Sequence, residues 1–252
     1  MYPERFKNQV ALVTGGAQGI GMTVALRLGR EGAHIVLLDR NADALAKAVE
    51  VFVAQKVPVS TIQGDIANES EIEHAMESVV SQQGRLDVVV HCAAIVGPTN
   101  TPLAEVKVED FDQVYEVNLR GSMIVTKQAL KAMLPNKYGR ILLLASIAGK
   151  EGNAGMSPYS STKAGVIGLV KSAGKDYAES GVTINALAPA VIRTPMVDEC
   201  HPDQVKYMTD KIPMKRCGTL DEVAAIACWI VSREAGFNTG ATFDLSGGRA
   251  VY

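Results

Sequence analysis

The chain has 252 residues, 47% of them hydrophobic and 21% charged, with a formal net charge of -2 at neutral pH. That balance provides ample buried core, and the near-neutral charge leaves no basic field for nucleic acid or an anionic membrane surface. No apolar run is long enough to span a bilayer, the first residues carry no secretory pattern, and Cys92, Cys200, Cys217 and Cys228 have neither metal-ligand spacing nor a disulfide framework, so a cytoplasmic, metal-free chain is expected.

Val10 to Thr14 is a short apolar run ending in glycines and reads as a buried strand. Met22 to Glu31 has helical spacing through Val24, Ala25 and Leu28, and His34 to Leu38 is a second strand. Asn41 to Gln55 reads as a helix capped by Asn41. Val59 to Gln63 is a third strand, Glu69 to Gln83 a helix, and Asp87 to Ala93 a fourth strand. Helices are expected at Val108 to Tyr115 and Leu119 to Leu134, then a fifth strand at Arg140 to Ser146. A long helix, Pro158 to Ser180, precedes a sixth strand at Val182 to Leu187. Residues 191–212 have mixed polarity and two prolines and read as a substrate loop, about 190–212. Leu220 to Ser232 is a helix and Ala241 to Leu245 a final strand.

Apolar strands alternating with helices describe a parallel sheet covered on both faces. The expected fold is one doubly wound, Rossmann-type α/β domain over residues 1–252, with seven parallel strands in the order 3-2-1-4-5-6 plus a seventh at the edge.

Thr14-Gly15-Gly16-Ala17-Gln18-Gly19-Ile20-Gly21 joins the first strand to the first helix. A tight turn there needs glycine freedom, a pyrophosphate needs side chains out of its way, and the helix terminus offers free N–H groups and partial positive charge. Gly15, Gln18, Gly19, Ile20 and Gly21 are therefore the expected phosphate cradle. Asp39 ends the second strand eighteen residues after Gly21, placed to accept from the adenosine ribose hydroxyls and to repel a 2′-phosphate. This favours NAD over NADP, although Arg40 would suit such a phosphate. Asp65 either accepts from an adenine amino group or caps the next helix; spacing leaves both open.

Tyr159 and Lys163 are four residues apart and share a helix face. A phenol titrates near about 10, and a neighbouring ammonium lowers that value, which would make the tyrosine a general acid/base at neutral pH.

Taken in order, Thr14-Gly15 through Gly21, Asp65-Ile66, Asn118 in Val-Asn-Leu-Arg-Gly, Ser146, Tyr159 with Lys163, and Asn185 ahead of Pro189 resemble a short-chain dehydrogenase/reductase of the small, single-domain kind, from Val10 to about Gly248. The resemblance implies that Tyr159 is the catalytic acid/base and that Lys163 lowers its pKa and binds the nicotinamide ribose. It implies that Ser146 hydrogen-bonds the reacting oxygen and Asn118 holds a relay water near Lys163. It places Ile66 and Ala93 against the cofactor, and Pro189 to Thr194 along the nicotinamide, with Ile192 and Thr194 near its carboxamide. It further implies a homotetramer.

The chain departs from the family pattern at His91-Cys92-Ala93-Ala94, where Asn-Asn-Ala-Gly is usual, and at Pro189-Ala190, where Pro-Gly is usual. His91 reads as a locally satisfied buried histidine and Cys92 as a small core residue. Substrate contacts are expected from 94–101, 148–156 and 191–212, which hold Lys150, Glu151, Asn153, Arg193, His201 and Lys206 and suit a polyhydroxylated or carboxylated small molecule. The ending, Phe243 to Tyr252, is similar to tails of family members acting on sugars and sugar acids; in tetrameric relatives this end packs at a subunit interface, from which Arg249 or Tyr252 would reach a neighbouring site. The functional expectation is an NAD-dependent dehydrogenase of a secondary alcohol in a sugar, sugar acid or polyol. Its rivals are an NADPH-dependent 3-oxoacyl-carrier-protein reductase and a dinucleotide-binding regulator without turnover.

Overall fold

Seven short apolar runs form one parallel sheet in the order β3-β2-β1-β4-β5-β6-β7. The strands are β1 (Val10–Thr14), β2 (His34–Asp39), β3 (Val59–Gln63), β4 (Val88–His91), β5 (Gly139–Leu144), β6 (Val182–Pro189) and β7 (Thr242–Leu245). The principal helices are α1 (Gly19–Arg30), α2 (Ala42–Ala54), α3 (Glu69–Gln83), α4 (Val108–Tyr115), α5 (Gly121–Met133), α6 (Ala148–Glu151), α7 (Ser157–Asp176) and α8 (Leu220–Ile230). The computed structural model describes residues 2–194, 197, 205–206, 209–250 and 252.

The central strands β1, β4, β5 and β6 are buried along their whole length, which is why they read as continuous apolar runs rather than alternating ones. Their side chains still alternate between two cores. Ala11, Val13, Val88 and Val90 face α1, α2 and α8 through Leu28, Phe52 and Val223. Val10, Leu12, Val89 and Ile141 face α3, α5 and α7 through Ile72, Ile124 and Val166. Each large aliphatic side chain so buried contributes about 1.5–3 kcal/mol. The strand order reverses between β1 and β4, and the crevice beyond their carboxyl ends is where this architecture takes a ligand.

The expected order of strands and helices is the observed one, with differences at the ends. Helix α1 begins at Gly19, inside the glycine run, because the turn that precedes it is completed by Gln18. The helix expected from Leu119 starts instead with a π-turn, Glu116–Arg120, before α5. Helix α7 stops at Asp176, short of Ser180. Helix α6 was not expected; four residues are too few to carry a periodic signal. Cys200, His201 and much of the 190–212 substrate loop lie outside the described residues. Among the described residues no helix is long and apolar enough to cross a membrane, and no group of three metal-ligating side chains is found.

The start of α1 is the tightest joint near the crevice. A methyl group on Gly21 would collide with the Gly15 carbonyl oxygen, which is backbone and has nowhere to move. Gly21→Ala is expected to cost about 2 kcal/mol of stability, read as a lower urea midpoint at unchanged slope. An unchanged midpoint would mean that α1 retreats freely from the turn.

Candidate active site

The glycine turn lies on the end of β4 rather than in open solvent. Gly15 has φ +61°, and a Cβ there would come within 2.8 Å of the Ala93 nitrogen and 2.9 Å of its Cα. Glycine is required at this position both by the backbone angle and by the contact. The partner strands are aligned by register, Thr14 opposite His91, and are joined by a 2.7 Å hydrogen bond between Thr14 Oγ1 and His91 Nδ1. The Ala93 N–H also reaches Thr14 Oγ1, at 3.5 Å. His91 thus does make a local bond, as expected, and the bond is to the strand that starts the glycine turn. Burial, then the Lys163 ammonium, push its imidazole down to about 3, so it stays neutral. Its Nε2 finds no partner among the described residues.

Over this floor lies a cleft of about 410 Å³. Gly15, Gln18, Gly19, Ile20 and Gly21 line it together with Asp39, Arg40, Asp65, Ile66, Ala93 and Thr194. Cys92 and Ala94 also line it. Burial pushes the Cys92 thiol up to about 12, so it is not a thiolate. No side chain caps α1 and no acid occupies its first turn. Its first amides and partial positive charge therefore remain available to an anion at the glycine cradle. These features fit a dinucleotide.

Asp39 is oriented by the backbone it ends: Oδ2 accepts from Ala17 N–H at 3.3 Å and Oδ1 from Asn41 N–H at 3.1 Å. Each oxygen keeps a second lone pair for a ribose hydroxyl. Asp65 accepts from Ala67 N–H at 2.9 Å, a turn bond, while Asn68 caps α3. The helix-capping role left open for Asp65 thus belongs to Asn68. Two residues expected near the nicotinamide, Pro189 and Ile192, are not among those that line the cleft. Pro189 ends β6, where its carbonyl accepts the Ile147 N–H at 3.0 Å. Ile192 is buried in the core and lies against Gly218, because a bridge between those two residues turns its side chain inward.

Beside the cleft, α7 presents Tyr159 and Lys163 toward Ser146 at the end of β5. The Ser146 hydroxyl accepts the Ala148 N–H at 3.1 Å and lies close enough to the Tyr159 phenol to lower its pKa. Burial acts the other way and is larger, so the net shift is upward. The spacing argument expected a downward shift from Lys163. In the structure the ammonium lies 5.7 Å from the ring centroid and donates at 2.6 Å to the Leu144 carbonyl. Burial pushes Lys163 itself down to about 8, which leaves it mostly charged at neutral pH.

Asn118, fully buried in the π-turn, has its side-chain amide engaged within the protein. Its Oδ1 accepts from Ile95 N–H and its Nδ2 donates to Ile95 O, both at 2.8 Å, with a further 3.4 Å contact to Thr162 Oγ1. Both ends of the amide are engaged in clamping the segment after β4 against α7. Its own carbonyl accepts from Ser122 Oγ at 2.6 Å. The π-turn that frees backbone groups here is of a kind frequent at functional sites.

The phenol shift gives a direct test. Subtracting the alkaline near-ultraviolet titration of Tyr159→Phe from that of the unmodified, dinucleotide-free protein should leave one phenol titrating above its ordinary value of about 10. A lower midpoint would mean that Lys163 outweighs burial. Because the raised value keeps the phenol protonated, kcat/KM for oxidation should rise with pH and that for reduction should fall.

A family profile described as enoyl-(acyl carrier protein) reductase matches residues 15–250. The chain is 41% identical over 252 residues to a 2-dehydro-3-deoxy-L-rhamnonate dehydrogenase (NAD(+)) of Sphingomonas sp. (strain SKA58), covering 100% of this chain and 99% of the other. It is 36% identical over 246 residues to a 3-oxoacyl-[acyl-carrier-protein] reductase of Synechocystis sp. (strain ATCC 27184 / PCC 6803 / Kazusa), covering 97% and 98%. A solved structure of a short-chain type dehydrogenase/reductase from Mycobacterium ulcerans superposes with a TM-score of 0.92 at 32% identity, covering 97% of this chain and 90% of that one.

Proposed function

The chain belongs to the short-chain dehydrogenase/reductase family, oxidoreductases of alcohol and ketone groups that use a dinucleotide, and from that premise we propose that it oxidises a secondary hydroxyl of a sugar acid or related polyol with NAD, Tyr159 serving as the acid/base. The observation that supports the reading is the junction of two features: a cleft lined by the glycine turn and by the Asp39 carboxylate, and the Ser146–Tyr159–Lys163 group beside it.

Tyr159 Oη takes the hydroxyl proton of the alcohol. The Ser146 hydroxyl donates to the same oxygen and limits the charge that builds there. The Lys163 ammonium, 5.7 Å from the ring centroid, attracts the phenolate as it forms. A bound oxidised nicotinamide supplies the hydride acceptor and a positive charge. Asn118 keeps the wall in place by holding Ile95 to α7. Asp39 accepts from the ribose hydroxyls and repels a 2′-phosphate. The sugar-acid reading is supported by the full-length relative named for 2-dehydro-3-deoxy-L-rhamnonate and NAD(+).

A second reading, reduction of 3-oxoacyl thioesters with NADPH, is favoured by Arg40 in the cleft wall and by the carrier-protein reductase among the relatives. One panel separates them: 2-dehydro-3-deoxy-L-rhamnonate and xylitol with NAD or NADP, and an acetoacetyl thioester with NADH or NADPH. Oxidation of the sugar acid with NAD is expected to exceed the other reactions by at least about tenfold in kcat/KM, about 1.4 kcal/mol. A preference for the thioester with NADPH would replace this reading with the second. Tyr159→Phe should bind NAD as the unmodified protein does and lower kcat by about 10²–10⁴; retained turnover would remove Tyr159 from the mechanism.

A further inference from the structure

The stretch between Ser146 and Tyr159 is fastened by the far end of the chain. After β7 the backbone doubles back at Gly247 and Gly248, where the Gly247 carbonyl accepts the Met214 N–H at 3.1 Å. Ser246 Oγ accepts from Ala250 N–H at 3.0 Å, and Arg249 N–H reaches the Ser246 carbonyl at 3.2 Å. The tail is thereby a closed turn that presents the Arg249 side chain to α6. That side chain is 8% exposed. Its Nε donates to Glu151 Oε2 at 2.8 Å, and its terminal Nη2 to Asn153 Oδ1 at 3.0 Å. Lys150, equally buried, fixes the same segment from the other direction. It donates to both carboxylate oxygens of Asp244 on β7, at 2.9 and 2.7 Å, and to the Tyr252 carbonyl, while the Tyr252 hydroxyl donates to the Lys150 carbonyl.

The two residues held by Arg249 lead to the two sides of the proton-transfer pair. Glu151 ends α6, whose first residue, Ala148, gives its N–H to Ser146 Oγ. Asn153 gives its own N–H to Ser160 Oγ at 3.1 Å, next to Tyr159. The cluster is not an anion site, because Asp244 and Glu151 match the charges of Lys150 and Arg249. A planar guanidinium gripping two acceptors in fixed directions is instead suited to setting a distance.

We propose that Arg249 is a positioning residue of the reaction: by joining Glu151 to Asn153 it sets the spacing of the Ser146 hydroxyl and the Tyr159 phenol about one alcohol oxygen. The inference rests on the reading of Ser146 and Tyr159 as the proton-transfer pair and not on which alcohol they meet. Small displacements of such groups are costly: a shift of about 1 Å is worth as much as about a hundredfold in rate.

The test uses the full chain with Arg249→Gln, Arg249→Lys, Arg249→Glu and the charge-reversed pair Glu151→Arg with Arg249→Glu. Turnover is measured with 2-dehydro-3-deoxy-L-rhamnonate and NAD, and with an acetoacetyl thioester and NADPH. Arg249→Gln is expected to lower kcat/KM for the alcohol or ketone by about tenfold or more, with NAD affinity and the melting temperature nearly unchanged. Amide exchange should quicken over 147–153 and not over α1. Arg249→Lys, which keeps the charge and loses the fork, should recover a part, and the reversed pair should exceed Arg249→Glu alone. Unchanged kcat/KM together with unchanged exchange in Arg249→Gln would overturn the proposal. Parallel loss of NAD affinity and melting temperature would also overturn it, since that marks a general role in the fold. If the unmodified protein turns over neither substrate, the substrate reading fails, while exchange over 147–153 still decides the role of Arg249.

Discussion

The backbone of Gly15 rests directly on the backbone of Ala93, and the cofactor cleft is built on that contact. It exists because β1 and β4 are neighbours at the point where the strand order reverses, and because Thr14 and His91 close their ends with one short buried hydrogen bond. With that floor fixed, α1 must start beside it, its uncapped amides face the crevice, and Asp39 at the end of the adjacent strand reaches Ala17 in the same turn. An imidazole in the place of the usual asparagine serves here because burial keeps it neutral, and a neutral ring bonds a hydroxyl without importing a charge.

Burial is also the main electrostatic force at the reacting end. It moves Lys163 down, Tyr159 up and Cys92 up, each toward its uncharged form, as removal from water requires. The effect on the tyrosine exceeds that of the Ser146 hydroxyl. A protonated phenol in the resting protein is poised to donate, and oxidation then depends on added positive charge and on rising pH. The low-dielectric wall that opposes ionisation also strengthens the attraction between Lys163 and the phenolate once it forms.

Much of this was legible in the residues. Strand order, the glycine turn and the Asp39 position follow from local patterns, since apolar runs, glycines and a strand-end acid each act over a few residues. Tyr159 and Lys163 were readable because helical spacing fixes which side chains share a face. The sign of the tyrosine shift was not readable, because spacing reports the neighbour and not the depth of burial. Nor was it readable that both ends of the Asn118 amide bond Ile95, a residue 23 positions away. Lys150 and Glu151 read as free loop charges lining a substrate pocket. They are partners of Asp244 and Arg249, more than ninety residues distant, and nothing in their local sequence announces that pairing.

The amino-acid sequence alone determined the family, the parallel sheet and the helix face that Tyr159 and Lys163 share, because periodicity and turn chemistry are short-range and the motif order is specific. Only the tertiary structure decided how those residues are charged and held. Burial depth, the Thr14–His91 closure and the fastening of the Ser146–Asn153 stretch by the tail all depend on groups brought together from distant parts of the chain, and such meetings are set by packing and not by spacing.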